Sequence, residues 1–347
     1  MEFNRREFLQ SWGAGALAFL PQEESNPYLL GNFAPVLEER TEPDLKVTGE
    51  LPQELRGLYV RNGPNPAYPP RPYHWFDGDG MLHGIYLADG RARYVNRFVR
   101  TAGFEKEREA KKSLYGGFAK GPPFKNAANT ALVWHHRELL ALWEGGAPHA
   151  IEPSTLATAG LWKGAYTGPF TAHPKIDAKT GEIVFFGVTP FPTKLHYRVA
   201  DADGKIVHSA RIDLPRWIMM HDVAITARHT LFLDLPLLMS FQGLQYKRDG
   251  AARIGILPRR GTADQMRWFD VAGCFVYHVV NAWEEGESIV LIVCRYSKGP
   301  EGPAHLFRWT FDLTSGKVEE KQLDDAPTEF PRVNERLTGR RTRFGYA

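Results

Sequence analysis

Short apolar runs separated by turn signals recur along almost the whole chain, and this rhythm limits the folds open to it. The candidate strands are Gly57–Arg61, Gly84–Leu87, Arg91–Arg100, Thr130–His135, Glu138–Trp143, Ile183–Val188 and Lys194–Val199. They continue with Ile206–Ile212, Thr230–Leu235, Phe275–Ala282, Ser288–Tyr296, Leu306–Leu313, Gly316–Gln322 and Arg341–Tyr346. Asp89-Gly90, between two of these runs, is a hairpin signal. No segment sustains a strong helical period, so the pattern predicts an all-β protein. Four short strands recurring every ~40–50 residues is the spacing of propeller blades. A sandwich would use fewer strands than a chain of 347 residues supplies.

Composition removes several function classes. With 43% hydrophobic and 24% charged residues the chain is globular and can bury a large core. A net charge of +3 is too small to argue for nucleic acid. No uninterrupted apolar run reaches the ~18 residues of a membrane span. The two cysteines, Cys274 and Cys294, sit in apolar strand-like runs and read as buried thiols; a protein of this size does not need a disulfide. At the N-terminus, Asn4-Arg5-Arg6-Glu7-Phe8-Leu9 followed by the apolar Trp12–Leu20 has the pattern of a twin-arginine export signal. No A-x-A cleavage site follows, and an amphipathic helix is the competing reading. The expected organisation is a signal segment over 1–26 and one β-propeller domain over 27–347. The protein is then exported to the periplasm, with a cytoplasmic, membrane-associated location as the alternative.

Between the strands, Asp77-Gly78-Asp79-Gly80 reads as turn chemistry. Residues 105–126 read as a surface excursion with one short helix. The glycine spacing does not fit a dinucleotide fingerprint. Of the twelve histidines, most lie beside turns, loops or hydrophilic positions. Three do not. His173 lies in Phe170-Thr171-Ala172-His173-Pro174, His221 in an apolar run from Trp217 to Thr226, and His278 in Phe275–Ala282. Strand alternation puts His221 on one face with Met219, Val223 and Ile225. A buried imidazole needs a hydrogen-bond partner or a metal ion. Because the three are far apart in sequence, only converging strands could bring them to one metal, as the inner strands of propeller blades do. Glu144 and Glu329 are carboxylates at the edges of apolar segments. Such a group can hold a ligating histidine through its Nδ1–H.

These segments resemble the carotenoid cleavage oxygenases, the family that also contains lignostilbene dioxygenases and a retinoid isomerase. The resemblance runs through Gly49-Glu50-Leu51-Pro52, Arg61-Asn62-Gly63-Pro64-Asn65-Pro66 and Trp75-Phe76-Asp77-Gly78-Asp79-Gly80-Met81. It continues in Asn129-Thr130, Trp143-Glu144-Gly145-Gly146, Thr171-Ala172-His173-Pro174 and Met220-His221-Asp222. Its last stretches are His278-Val279-Val280-Asn281-Ala282 and Glu329-Phe330-Pro331-Arg332. It implies a seven-bladed β-propeller with a ferrous ion, Fe(2+), on its axis, held by four histidines. His173, His221 and His278 match three of them. Glu144 and Glu329 match the carboxylates that orient His221 and His278, and Thr130 matches a residue whose methyl crowds an open coordination position. The fourth histidine and a third glutamate lie, in the family, beyond the Glu329 motif. This resemblance therefore reads the chain as a propeller incomplete at its C-terminus by one or two blades.

The implied activity is cleavage of a conjugated C=C bond by O₂, giving two carbonyl products. In lignostilbene-cleaving relatives the residue before the Glu144 equivalent tends to be lysine. Here it is Trp143, which points to a polyene, a carotenoid or apocarotenoid, with Tyr277 as a second tunnel-lining aromatic. Both could equally be core aromatics. Such a substrate predicts a membrane-facing mouth, with Leu235–Met239 and Tyr115–Phe118 as candidate apolar patches. The alternatives are a stilbene-cleaving dioxygenase, an isomerase, and an inactive polyene-binding propeller.

Overall fold

Alternation along individual strands decides the architecture. In Glu138–Leu142, Leu139 and Ala141 pack with Leu82, Val95 and Ile151, while Leu140 and Leu142 pack with Ile183, Phe185 and Phe170. Such a strand is apolar on both faces, so its sheet must lie between two others. The same happens further along. Ile183 and Phe185 face one neighbour, whereas Val184 and Phe186 join Val223, Ile225 and Phe232 on the other side. Leu231 and Leu233 then pack with Ile289, Leu291, Val293 and Trp309.

The computed structural model describes residues 26–118, 121–163, 168–240 and 243–347. Five four-stranded antiparallel sheets stack in this way as the blades of a propeller. The first comprises Gly57–Asn65, Asp79–Ala88, Arg91–Phe98 and the outer Thr41–Glu42. The second comprises Ala131–His135, Glu138–Leu142, His149–Ile151 and Thr158–Leu161. Lys175–Ile176, Ile183–Pro190, Thr193–Ala200 and Ile206–Asp213 form the third. Val223–Ile225, His229–Asp234, Ala252–Pro258 and Arg267–Val271 form the fourth, with a hairpin of Leu237–Ser240 and Gly243–Tyr246 inserted in it. Phe275–Glu285, Ser288–Tyr296, His305–Asp312 and Val318–Pro327 form the fifth. The last four sheets run up and down in sequence order, so each presents its first strand at one edge.

Several expectations are corrected. His221 is not inside a strand; the strand is Val223–Ile225, and the extended chain before it places Met219 in one core cluster and Met220 and Val223 in another. Asp79 and Gly80 are not a turn. A short 3₁₀ segment, Trp75–Asp77, precedes them, and they pair with Asn65 and Pro64 in the first sheet. The excursion at 105–126 begins earlier, with the helix Ala102–Ala110 capped by the Thr101 hydroxyl, and Phe104 and Glu107 are buried. His149 is a buried strand residue. Arg341–Tyr346 is no strand and keeps only one bridge, Tyr346 with Arg332. The chain before it bonds instead to the Asn281 amide, which accepts from Gly339 N–H and donates to the carbonyls of Leu337 and Arg340. In the candidate apolar patch Leu235–Met239, Leu235 and Leu237 are buried in the core between the fourth and fifth sheets, and Leu238 and Met239 are half-buried. In the other, Gly116 and Gly117 are buried and Tyr115 and Phe118 half-buried. Cys274 and Cys294 are free and buried. No helix among the described residues is long and apolar enough to cross a membrane. The twin-arginine segment lies outside the described residues.

Gly80 shows why the Asp-Gly repeat is needed. Its N–H donates to the Ala127 carbonyl at 2.8 Å, and a Cβ there would lie 2.3 Å from the Ala128 carbonyl oxygen. That crossing backbone leads into Asn129 and Thr130. Gly80→Ala is expected to destabilise the protein by about 1–3 kcal/mol through forced backbone movement. Urea denaturation checks this; an unchanged midpoint would contradict the crossing.

Candidate metal centre

The first strands of the third, fourth and fifth sheets deliver three imidazoles to one place. His173 lies just before Lys175–Ile176, and His221 just before Val223–Ile225. His278 is inside Phe275–Glu285, where Val276 pairs with Arg295 but Val279 with Val293. One extra residue therefore sits between these two pairs, a β-bulge of the kind that re-aims a side chain. The Nε2 atoms of His173 and His221 are 2.9 Å apart. The ring centroids lie 4.5 Å (His173 to His221), 5.0 Å (His173 to His278) and 5.2 Å (His221 to His278) apart. One ligand atom from each imidazole lies within 4.8 Å of those of the other two, a set that could hold a metal ion.

Two carboxylates stand behind this set. Glu144, just past the strand Glu138–Leu142, is paired with His221 Nδ1. Glu329 Oε2 lies 2.5 Å from His278 Nδ1. Glu329 also accepts from the Tyr296 hydroxyl at 3.0 Å and from Phe330 N–H at 2.5 Å. Among the described residues no acidic group is paired with the His173 ring. Instead the His173 backbone N–H donates to Thr171 Oγ1, whose hydroxyl donates to the His221 carbonyl.

Protonation follows these surroundings. Burial, with the neighbouring His221, drives the His173 pKa well down, so this ring stays neutral. Burial also acts to lower His221, but the Glu144 carboxylate outweighs it and leaves that pKa raised above 6.5. Burial acts to raise Glu329, and its bonds from His278, Phe330 and Tyr296 outweigh it, so this carboxyl is held below its ordinary value. A carboxylate on Nδ1–H leaves the Nε2 lone pair free. Free lone pairs brought this close repel one another unless a proton or a cation lies between them, so the donor set fits a divalent transition metal.

The other predicted residues are placed as follows. Thr130 is exposed beside the Glu144 segment. Its N–H donates to the Leu142 carbonyl and its hydroxyl to Asn129 Oδ1 at 3.1 Å. Trp143 is half-buried and lines a cavity with Phe76, Phe118, Phe124 and Asp77. Its indole covers Gly145 so closely that a Cβ there would fall 2.2 Å from the ring. The Tyr277 ring is edge-on to His221 at 5.4 Å and to Tyr296 at 5.5 Å. Residues not singled out from the sequence also belong here: Tyr296, Phe330, Lys175 and Asp222. The Phe330 ring is 5.3 Å from His278 and 74% exposed, on a backbone with φ of 55°. Asp222 carried a signal, as an acid alone in an apolar run beside a flagged histidine.

The raised His221 pKa sets a pH dependence. Below that value the ring carries a proton, which a ligated metal must displace. Affinity for Co²⁺ or Zn²⁺ is expected to fall about tenfold for each pH unit below it. Metal titrations between pH 8 and 5 measure this; a flat affinity would contradict ligation by His221.

Comparisons with known proteins agree with this architecture. The model of the retinal pigment epithelial membrane protein family matches residues 33–347. A carotenoid 9,10(9',10')-cleavage dioxygenase of Crocus sativus is 38% identical, the match covering 95% of this chain and 70% of that protein. An isoeugenol monooxygenase of Pseudomonas putida is 34% identical over 93% of this chain and 76% of its own. The crystal structure of Pseudomonas brassicacearum lignostilbene dioxygenase superposes with a TM-score of 0.84 at 31% identity, covering 92% of this chain and 75% of that one. By sequence and by fold, the chain belongs to the carotenoid cleavage oxygenase family of enzymes.

Proposed function

We propose that this protein is a non-haem iron(II) dioxygenase that cleaves a conjugated C=C bond of a carotenoid or apocarotenoid to two carbonyl products. The observation that carries the reading is the convergence of His173, His221 and His278, two of them backed by carboxylates on Nδ1. When bound there, ferrous iron supplies the redox chemistry of dioxygen, which no protein side chain provides. The chain's own residues do the rest. Glu144 and Glu329 keep His221 and His278 in the tautomer that leaves Nε2 unprotonated. Thr130, whose hydroxyl is engaged by Asn129, is the residue that by its match to the family motif would limit access to a metal held there. Trp143, Tyr277 and Phe330 supply apolar and aromatic surface that places an alkene and limits water. No general base is needed for this chemistry.

Trp143 supports a polyene over a phenolic substrate, because an indole offers no cation for a phenolate oxygen and the Lys125 ammonium lining the same cavity is engaged by Asp79 and Glu107. Relatives named for carotenoid, isoeugenol and lignostilbene chemistry make substrate class the point to test. Purified protein loaded with Fe(II) is expected to bind one iron per chain and to consume O₂ with an apocarotenal, yielding paired carbonyl products. Trp143→Lys should lower kcat/KM for the apocarotenal at least about tenfold, or ~1.4 kcal/mol of transition-state stabilisation. Cleavage of a hydroxystilbene with apocarotenals left intact would overturn the substrate assignment.

A further inference from the structure

Asp222 is 2% exposed, yet all its polar contacts reach segments that carry the three histidines. Its Oδ1 accepts from Lys175 Nζ at 2.6 Å, and Lys175 is two residues beyond His173. The same oxygen accepts from Val223 N–H at 2.7 Å, two residues beyond His221. Its Oδ2 accepts from Val279 N–H at 2.8 Å, the residue after His278. One buried carboxylate thus joins the inner edges of the third, fourth and fifth sheets, at points within two residues of each histidine.

Val279 lies next to the bulge, in the inner edge strand of its sheet, and an edge strand turns alternate N–H groups away from its one partner. The extra residue at Tyr277–His278 interrupts the ladder with Ser288–Tyr296, and pairing is irregular again between Val279 and Asn281. A backbone N–H released from a sheet must find another acceptor when buried. Asp222 provides one from the neighbouring sheet. The bulge that carries His278 and the tether to the His221 segment are thus neighbours in one strand. A buried carboxylate is tolerated because the Lys175 ammonium, with its side chain 20% exposed, neutralises it.

We propose that Asp222 is a positioning residue for the metal centre: through Lys175 and Val279 it fixes the mutual spacing of His173, His221 and His278. This rests on the metal reading of the site and extends it to a residue that touches no metal. Glu144 and Glu329 each orient one ring, whereas Asp222 holds the three segments relative to one another. Asparagine in its place keeps the shape but removes the charge that Lys175 needs. It also turns one acceptor into an NH₂ that cannot receive an N–H.

Asp222→Asn is expected to lower Co²⁺ affinity of the full chain about 10- to 100-fold, the usual range for groups that support ligands from behind. It should also change the position or intensity of the visible Co(II) absorption bands. Glu144→Gln should disturb one ligand, and Asp222→Asn the spacing of all three. Lys175→Met, which leaves the Val279 contact in place, should give a smaller change in the same direction. It also serves as the second variant if Asp222→Asn fails to fold. A variant that loses thermal stability but keeps wild-type Co²⁺ affinity and spectrum would overturn the proposal and make Asp222 a general core anchor. If wild-type protein takes up no Co²⁺, the metal reading itself falls, and the proposal with it.

Discussion

Three imidazole nitrogens cannot crowd together in a protein interior without something positive among them. Their lone pairs repel unless a proton or a cation lies between them. Here burial holds His173 neutral, while Glu144 and Glu329 take the Nδ1 positions of the other two rings. The arrangement is favourable for a cation, which competes there with the proton on His221. The other features of the site follow from keeping those rings in place.

The propeller supplies that placement by making neighbouring sheets share cores. Each of the second, third and fourth sheets is apolar on both faces, so a shift of one moves its neighbours. The first strands can then be short, two residues at Lys175–Ile176 and three at Val223–Ile225, because the longer strands behind them carry the packing. Short inner strands leave extended chain at their ends, and His173 and His221 sit there. His278 lies in a long strand and needs a bulge to reach the same point. Two local solutions, a strand that starts late and a strand that buckles, produce one convergence. Asn281 and Arg340 tie the chain beyond Glu329 back across these sheets, with the Arg340 guanidinium on Asp177 at 2.9 Å.

Much of this was legible from residue pattern alone, for stateable reasons. Ser288–Tyr296 is legible end to end because the uninterrupted apolar run Ile289–Cys294 at its centre reports burial on both faces. Lys175–Ile176 and Val223–Ile225 were missed or overextended, since partners in other strands define them. The three histidines stood out because imidazoles are rare in apolar surroundings, and their grouping was inferred through family resemblance. The partners of Asp222 are not legible, because Lys175 and Val279 lie 47 and 57 residues away in sequence. Leu235 and Leu237 read as surface apolar residues in sequence, and the structure places both in a core. Apolarity is visible in a sequence; which side of a sheet it meets is not.

The most direct test of the account is anomalous X-ray scattering at the iron edge, from crystals of the Fe(II)-loaded protein. The account predicts one strong peak per chain, bounded by the rings of His173, His221 and His278. A peak elsewhere, or loaded protein with no peak among those imidazoles, would contradict it.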